Sequence, residues 1–148
     1  MTTCRLILCE KSNHWAAAVR CALVHQPPAI VETRSISQAE AALAASPASV
    51  VAIETTAANL DAALAFIDRA RRQFSHFQIV GLLPSEAAAA APLIREAGAI
   101  DVLTSILDAD RLARLAQLQF ALAPPAVSLT IRELVAERLP WPAFATQS

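Results

Sequence analysis

Between residues 4 and 122 the chain alternates short, nearly continuous apolar runs with longer segments of helical periodicity, five times over. A strand buried on both faces reads as an unbroken apolar run. A helix packed on one side repeats its apolar residues every three or four positions. Parallel neighbours need a crossover connection, and crossovers are right-handed and usually helical, so this alternation predicts a parallel sheet with helices on both faces. The expected fold class is α/β, a three-layer, doubly wound, five-stranded sandwich of flavodoxin type, with an extra helix at the C-terminal end.

The first strand is expected over Cys4 to Cys9, followed by a helix capped by Ser12 or Asn13 with Trp15, Val19, Ala22 and Leu23 inward, and stopped by Pro27-Pro28. Ala29 to Thr33 reads as the second strand and Ser37 to Ala45 as a helix capped by Ser35 or Ser37, broken before Pro47. Ser49 to Glu54 is the third strand. The longest helix follows, with Leu60, Leu64, Ile67 and Phe74 as its stripe and Arg69, Arg71 and Arg72 on its solvated side. Phe77 to Leu83 is the fourth strand, and Ser85-Glu86 opens an alanine-rich helix to Ala97 that ends at Gly98. Pro92 lies inside that helix, where a proline costs roughly 3 kcal/mol, so a kink or a late start is expected. Ile100 to Thr104 is the fifth strand, and Asp108 caps a last helix with Leu112, Leu115, Leu118 and Leu122 inward.

Pro124-Pro125 closes the repeat, which divides the chain into a domain over residues 1–123 and an appendage over 124–148. Thr130-Ile131-Arg132-Glu133 has the form of a capping box, with Leu129 and Leu134 placed as a hydrophobic staple. Ile131, Leu134, Val135 and Leu139 make one apolar face before Pro140-Trp141-Pro142. A helix of about ten residues is not stable alone in water and has to dock on something.

Composition removes several function classes. The chain has 148 residues, 55% of them apolar, and a formal net charge of -1. That suits one folded domain and supplies no basic field for nucleic acid or a membrane surface. Only Gly81 and Gly98 are glycine, so neither a Rossmann fingerprint nor a Walker loop is present. No apolar run reaches the roughly 18 residues of a membrane span, and the first residues lack the order of a signal peptide. Cys4, Cys9 and Cys21 read as reduced, mostly buried thiols, which points to a cytoplasmic location.

With its elements in this order, the chain resembles a response-regulator receiver domain over about residues 4 to 122. The most specific stretch is Glu96-Ala97-Gly98-Ala99-Ile100-Asp101-Val102-Leu103-Thr104, similar to the Ala-Gly-Ala and strand that lead into the family's lysine. The resemblance implies a site at the C-terminal edge of the sheet: an acidic pair holding Mg²⁺, a phosphoacceptor Asp, a Thr or Ser, and a Lys followed by proline. In this sequence Cys9-Glu10 falls at the acidic pair, Glu54 at the phosphoacceptor, Leu83 at the hydroxyl position with Ser85 two residues on, Ser105 at the lysine and Ile106 at the proline. One carboxylate fewer weakens a Mg²⁺ site. A glutamate moves an acyl phosphate by about one methylene from in-line geometry. Lys11 is the single lysine of the chain, so no lysine is available at position 105.

These departures predict a degenerate receiver that is not phosphorylated, is not an enzyme, and needs neither metal nor cofactor. Glu54 is read either as a permanent charge in the place of a phosphoryl group, able to pair with Lys11, or as a plain carboxylate at a strand end. Cys9 is read as structural, since a phosphatase loop would need Arg where Trp15 stands. His14, His25 and His76 have no metal-ligand spacing. The expected function is protein binding. The resemblance places an interaction face on the fourth helix, fifth strand and fifth helix, with Leu115 and Leu118 as candidates. A second candidate surface is the appendage, through Leu134, Leu139 and Trp141; either surface suits a protein partner or a homodimer, and the other reading of the appendage is that it folds back on its own domain. The alternative is a small flavodoxin-like enzyme or ligand-binding domain using a pocket around Cys9, Glu10, Glu54 and Ser105.

Overall fold

The computed structural model describes residues 4–23 and 29–122. The expected boundary between residues 123 and 124 and the appendage helix, with Leu134, Leu139 and Trp141, lie outside the described residues, as does His25. Five strands, β1 (Leu6–Cys9), β2 (Ile30–Thr33), β3 (Val50–Glu54), β4 (Gln78–Leu82) and β5 (Asp101–Leu103), form one sheet in the order β2-β1-β3-β4-β5. Every pairing is parallel. Between and after them come α1 (His14–Ala22), α2 (Ile36–Ala45), α3 (Leu60–Gln73), α4 (Ala91–Ala97) and α5 (Ala109–Leu122). The three-layer doubly wound arrangement expected from the alternation is the one formed.

Successive residues of a strand point to opposite faces of the sheet, and this divides the core in two. Leu6, Leu8, Val50, Ala52, Val80, Leu82 and Leu103 pack with Trp15, Val19 and Leu112 beneath α1 and α5. Ile7, Cys9, Val51, Ile53, Ile79 and Val102 pack with Leu43, Phe66, Ile67 and Ile94 beneath α2, α3 and α4. Phe66 is fully buried at the centre of the second layer, so Phe66→Ala would cost about 3–5 kcal/mol.

Several inward assignments need correction. On α3 the buried residues are Ala63, Phe66, Ile67 and Ala70, while Leu60, Leu64 and Phe74 are only half-buried. On α1 Ala22 is exposed. On α5 the buried stripe is Ala109, Leu112, Ala113 and Ala116; Leu115 is half-buried, and Leu118 and Leu122 point outward at 58% and 77% exposure. The physical reason is close approach: α5 packs against α1, and alanines let the two helix surfaces meet where leucines would hold them apart. Among the cysteines Cys9 is buried, Cys4 is half-buried and Cys21 is exposed rather than buried.

Pro92 acts as expected. Ser85–Ala90 form 3₁₀ turns, and the α-helix starts late, at Ala91, with Pro92 in its first turn, where a missing N–H costs nothing. Gly98 ends α4 at φ 127°, in the conformation that side chains avoid. A Cβ there would also lie 2.7 Å from Cδ of Arg71, whose guanidinium donates to the carbonyl of Ala97 at 2.9 Å. Arg71, read as solvated, thus reaches the end of the neighbouring helix.

Candidate functional site at the carboxyl edge of the sheet

The topology brings the carboxyl ends of β1, β3, β4 and β5 together on one side, with the reversal of strand order between β1 and β3. Open α/β sheets bind ligands outside the carboxyl ends of their strands, at such a reversal. Two shallow cavities lie there with Glu54 on both. One, of about 200 Å³, is lined by Cys9, Glu10, Lys11, Arg34, Thr56 and Asn59 among others. The other, of about 360 Å³, is lined by Ser12, His14, Trp15, Leu83, Thr104 and Ile106 among others.

Glu10 is the decisive residue of this edge. It is 2% exposed, and its two carboxylate oxygens accept the backbone N–H groups of Trp15 at 3.1 Å and Ala16 at 3.0 Å. Asn13 occupies the position before α1 but makes no side-chain cap, so the cap expected from Ser12 or Asn13 is supplied by Glu10 instead. A carboxylate on the first free amides of a helix satisfies donors that have no intrahelical partner and faces the positive end of the helix dipole. Arg34 closes the same loop from β2, donating from one guanidinium nitrogen to the carbonyls of Glu10 and Ser12, both at 3.1 Å. The acidic residue matched to the metal position is therefore consumed as a structural cap.

Cys9 lies beside it, 6% exposed, within the α2–α3 layer of the core. Burial pushes its thiol pKa up, and the charges of Glu54 and Glu10 push in the same direction against a hydrogen bond with Thr33 that lowers it. A thiol held protonated is a poor nucleophile and a poor metal ligand. The edge suits Mg²⁺ poorly: the two oxygens of Glu10 each already accept a helix amide, and Glu54 is the one other carboxylate lining the cavities, so no free carboxylate pair is offered. Among the described residues no three His, Cys, Asp or Glu side chains come together as metal ligands.

The remaining positions are less fully committed, and at Glu54 only the backbone is engaged among the described residues. Glu54 ends β3 half-buried, with its backbone carbonyl accepting from Asn59 Nδ2 at 2.9 Å, while Asn59 Oδ1 accepts from Thr56 N at 2.6 Å. Among the described residues no ion pair joins Glu54 to Lys11, so the expected pairing is not formed. Leu83 is buried just after β4. Ser105 Oγ accepts from Leu107 N at 3.2 Å and caps a 3₁₀ turn over Ile106–Asp108. Asp108, expected as the cap, is the last residue of that turn. Ser105 is not among the residues lining either cavity, so the pocket expected around Cys9, Glu10, Glu54 and Ser105 gathers the first three only.

With the edge described, comparison is informative. No protein-family model matches the chain, and no curated protein matches it by sequence. Solved structures do. A CheY-like protein, tadZ, from Pseudomonas aeruginosa PAO1 is 17% identical with a TM-score of 0.64, over 79% of this chain and 99% of that one. A response regulator from Thermotoga maritima is 19% identical with a TM-score of 0.64, over 80% of this chain and 98% of the other. An orphan response regulator of H. pylori is 17% identical with a TM-score of 0.61, over 80% and 98%. This is the receiver fold. Within the receiver fold, the departures at Cys9, Glu54, Leu83 and Ser105 sit at the ends of the expected strands.

A second cluster, absent from the sequence reading, lies on the side of the receiver fold formed by α4, β5 and α5. Asp101 is 5% exposed at the start of β5 and is gripped by Arg111 of α5, Nε to Oδ2 at 2.7 Å and a terminal nitrogen to Oδ1 at 2.9 Å. Arg95 of α4 stands 3.7 Å away. The only signal in the sequence is an aspartate opening an apolar strand, which needs a cation from elsewhere in the fold. The large apolar side chains left exposed among the described residues, Leu93, Ile100, Ile106, Leu107, Leu118 and Leu122, belong to the same stretch of chain, from α4 to α5.

Proposed function

We propose that the chain is a protein-binding module of bacterial signal transduction, cytoplasmic, that keeps the receiver fold without its phosphoryl chemistry and engages its partner through α4, β5 and α5. One observation carries the reading. Every large hydrophobic residue exposed among the described residues falls between Leu93 and Leu122, on the elements that flank and follow β5 at one edge of the sheet. Apolar residues exposed on neighbouring elements, beside the guanidinium groups of Arg95 and Arg111, have the character of an interface. The engagement of Glu10 supports the loss of phosphoryl transfer, because it leaves the edge without a metal-binding carboxylate pair. No described helix is long and apolar enough to cross a membrane.

Two measurements test the proposal. Acyl phosphate with Mg²⁺, followed by intact mass, is expected to give no stable adduct; a phosphoryl group on Glu54 would overturn the non-phosphorylated reading. Capture from a lysate of the source cells with the wild type and with Leu107→Asp/Leu118→Asp is expected to show proteins lost in the variant. An identical set from both would remove this face from the proposal.

A further inference from the structure

We propose that the α5 side of this face is occupied, within the same molecule, by residues 129–142, which lie outside the described residues. The contact stands on its own; its meaning as regulation rests on the binding role proposed above. Along α5 and the turn before it, Leu107, Leu118 and Leu122 are 86%, 58% and 77% exposed, with half-buried Leu115 between them. Leu115, Leu118 and Leu122, three, four and seven residues apart, share one side of α5, with Arg111 and Arg114 on that side before them and Leu107 on the preceding 3₁₀ turn. The apolar part of α5 is about 10 Å long at 1.5 Å per residue.

The occupant is argued from where the rest of the chain starts. Residues 123–148 leave from the C-terminal end of α5, at the foot of this stripe. Pro124-Pro125 is a pair unsuited to continuing α5. Residues 123–128 reach at most about 20 Å, enough to reverse direction but not to leave the vicinity of α5. The segment that follows carries its own helix start at Thr130–Glu133, one apolar face of Ile131, Leu134, Val135 and Leu139, and the large aromatic Trp141. About ten helical residues span roughly 15 Å, enough to cover the apolar part of α5.

Each surface lacks what the other supplies: the segment is too short to be helical without a partner surface, and the stripe is apolar without cover. A linker this short holds the segment at an effective concentration in the millimolar range, which a second copy matches only at millimolar protein. The segment then competes with a partner for α5, so partner binding has to displace it.

Trp141 reports the contact in the full chain. The difference in fluorescence between wild type and Trp141→Phe isolates its emission from that of Trp15. The expected result is emission shifted to the blue of its position in urea and shielded from acrylamide, at every protein concentration. Leu118→Asp/Leu122→Asp, or the milder alanine pair, is expected to return it to the urea position, with far-UV circular dichroism losing no more than the roughly ten helical residues of the released segment. Emission at the urea position in the wild type, or no response to either pair, would overturn the contact. A blue shift that disappears on dilution would assign it to a second copy and overturn the intramolecular form. Leu134→Asp/Leu139→Asp is expected to release Trp141 and to increase partner capture. Release with capture unchanged would leave the contact standing and overturn the binding role of this part of the face.

Discussion

The carboxyl edge of the sheet and the face built by α4, β5 and α5 are adjacent, sharing Ile106, yet they dispose of their side chains in opposite ways. At the edge, polar groups turn inward and find partners in the protein: Glu10 on the amides of α1, Arg34 on the carbonyls of Glu10 and Ser12, Ser105 on its own turn. On the neighbouring face one carboxylate is clamped and the apolar side chains turn outward. A site used for turnover keeps unsatisfied functional groups available, whereas an interface keeps apolar surface available. Among the described residues no buried side-chain nitrogen or oxygen lacks a partner. Among the described residues most of the unspent interaction potential lies on the face, with the side chains of Glu54 and Lys11 the exceptions at the edge.

The strongest way to break this comparison is at Glu10. Glu10→Ala strands two buried amides and is expected to lower stability by about 2–3 kcal/mol in urea unfolding, with Glu10→Gln losing less because one acceptor oxygen remains. Millimolar Mg²⁺ is expected to leave the wild-type Tm unmoved. A rise would mean that Glu10 gives up the helix for a metal. Arg111→Ala comes next, at about 1.5 kcal/mol, because it leaves Asp101 buried with only the more distant Arg95. In a double-mutant cycle Asp101→Asn should absorb most of that loss.

Alkaline pH sharpens the comparison at the thiols. Cys4, whose Sγ donates to the carbonyl of Ala48 at 2.9 Å, has its pKa raised by burial from 9.0 to about 11, and that of Cys9 is raised as well. A group whose folded pKa lies above its unfolded value contributes stability below the unfolded pKa and loses it as pH rises through the folded one. Stability should therefore hold up to pH 9 and fall between 9 and 11, and Cys4→Ala should flatten the decline in thermal melts. Smallest of all for folding is Leu107→Asp, expected within about 0.5 kcal/mol of wild type because the side chain is 86% exposed. A large loss of stability there would show that Leu107 is covered.

The order of strands and helices was legible because strand and helix periods differ, and the late start of α4 because Pro92 cannot lie deeper in a helix. The capping role of Glu10 was hidden by its distance: it sits before the cap position and reaches forward, where cap rules consider only the residues next to the first turn. The outward Leu118 and Leu122 were misassigned because hydrophobicity ranks leucine above alanine, whereas the helix pair α1–α5 selects for small residues. The Asp101–Arg111 clamp joins residues ten apart across a turn, and only the fold brings them together. Glu54 ends β3 while Leu83 and Ser105 follow β4 and β5, but the burial of Leu83 and the turn that engages Ser105 depend on neighbours that a linear reading does not supply.

The alanine stretch from Ser85 to Ala90 gives the face one further property. It is a 3₁₀ segment with no fully buried residue, joined to an α-helix of only seven residues anchored chiefly by Ile94 over Gly81. So light an anchorage makes local opening inexpensive, and amides from Ala87 to Ala91 should exchange with solvent well before those of α3 or β4. A partner that docks beside α4 therefore meets one compliant border and one stiff one, and can be accommodated by reshaping the first while the sheet beneath stays fixed.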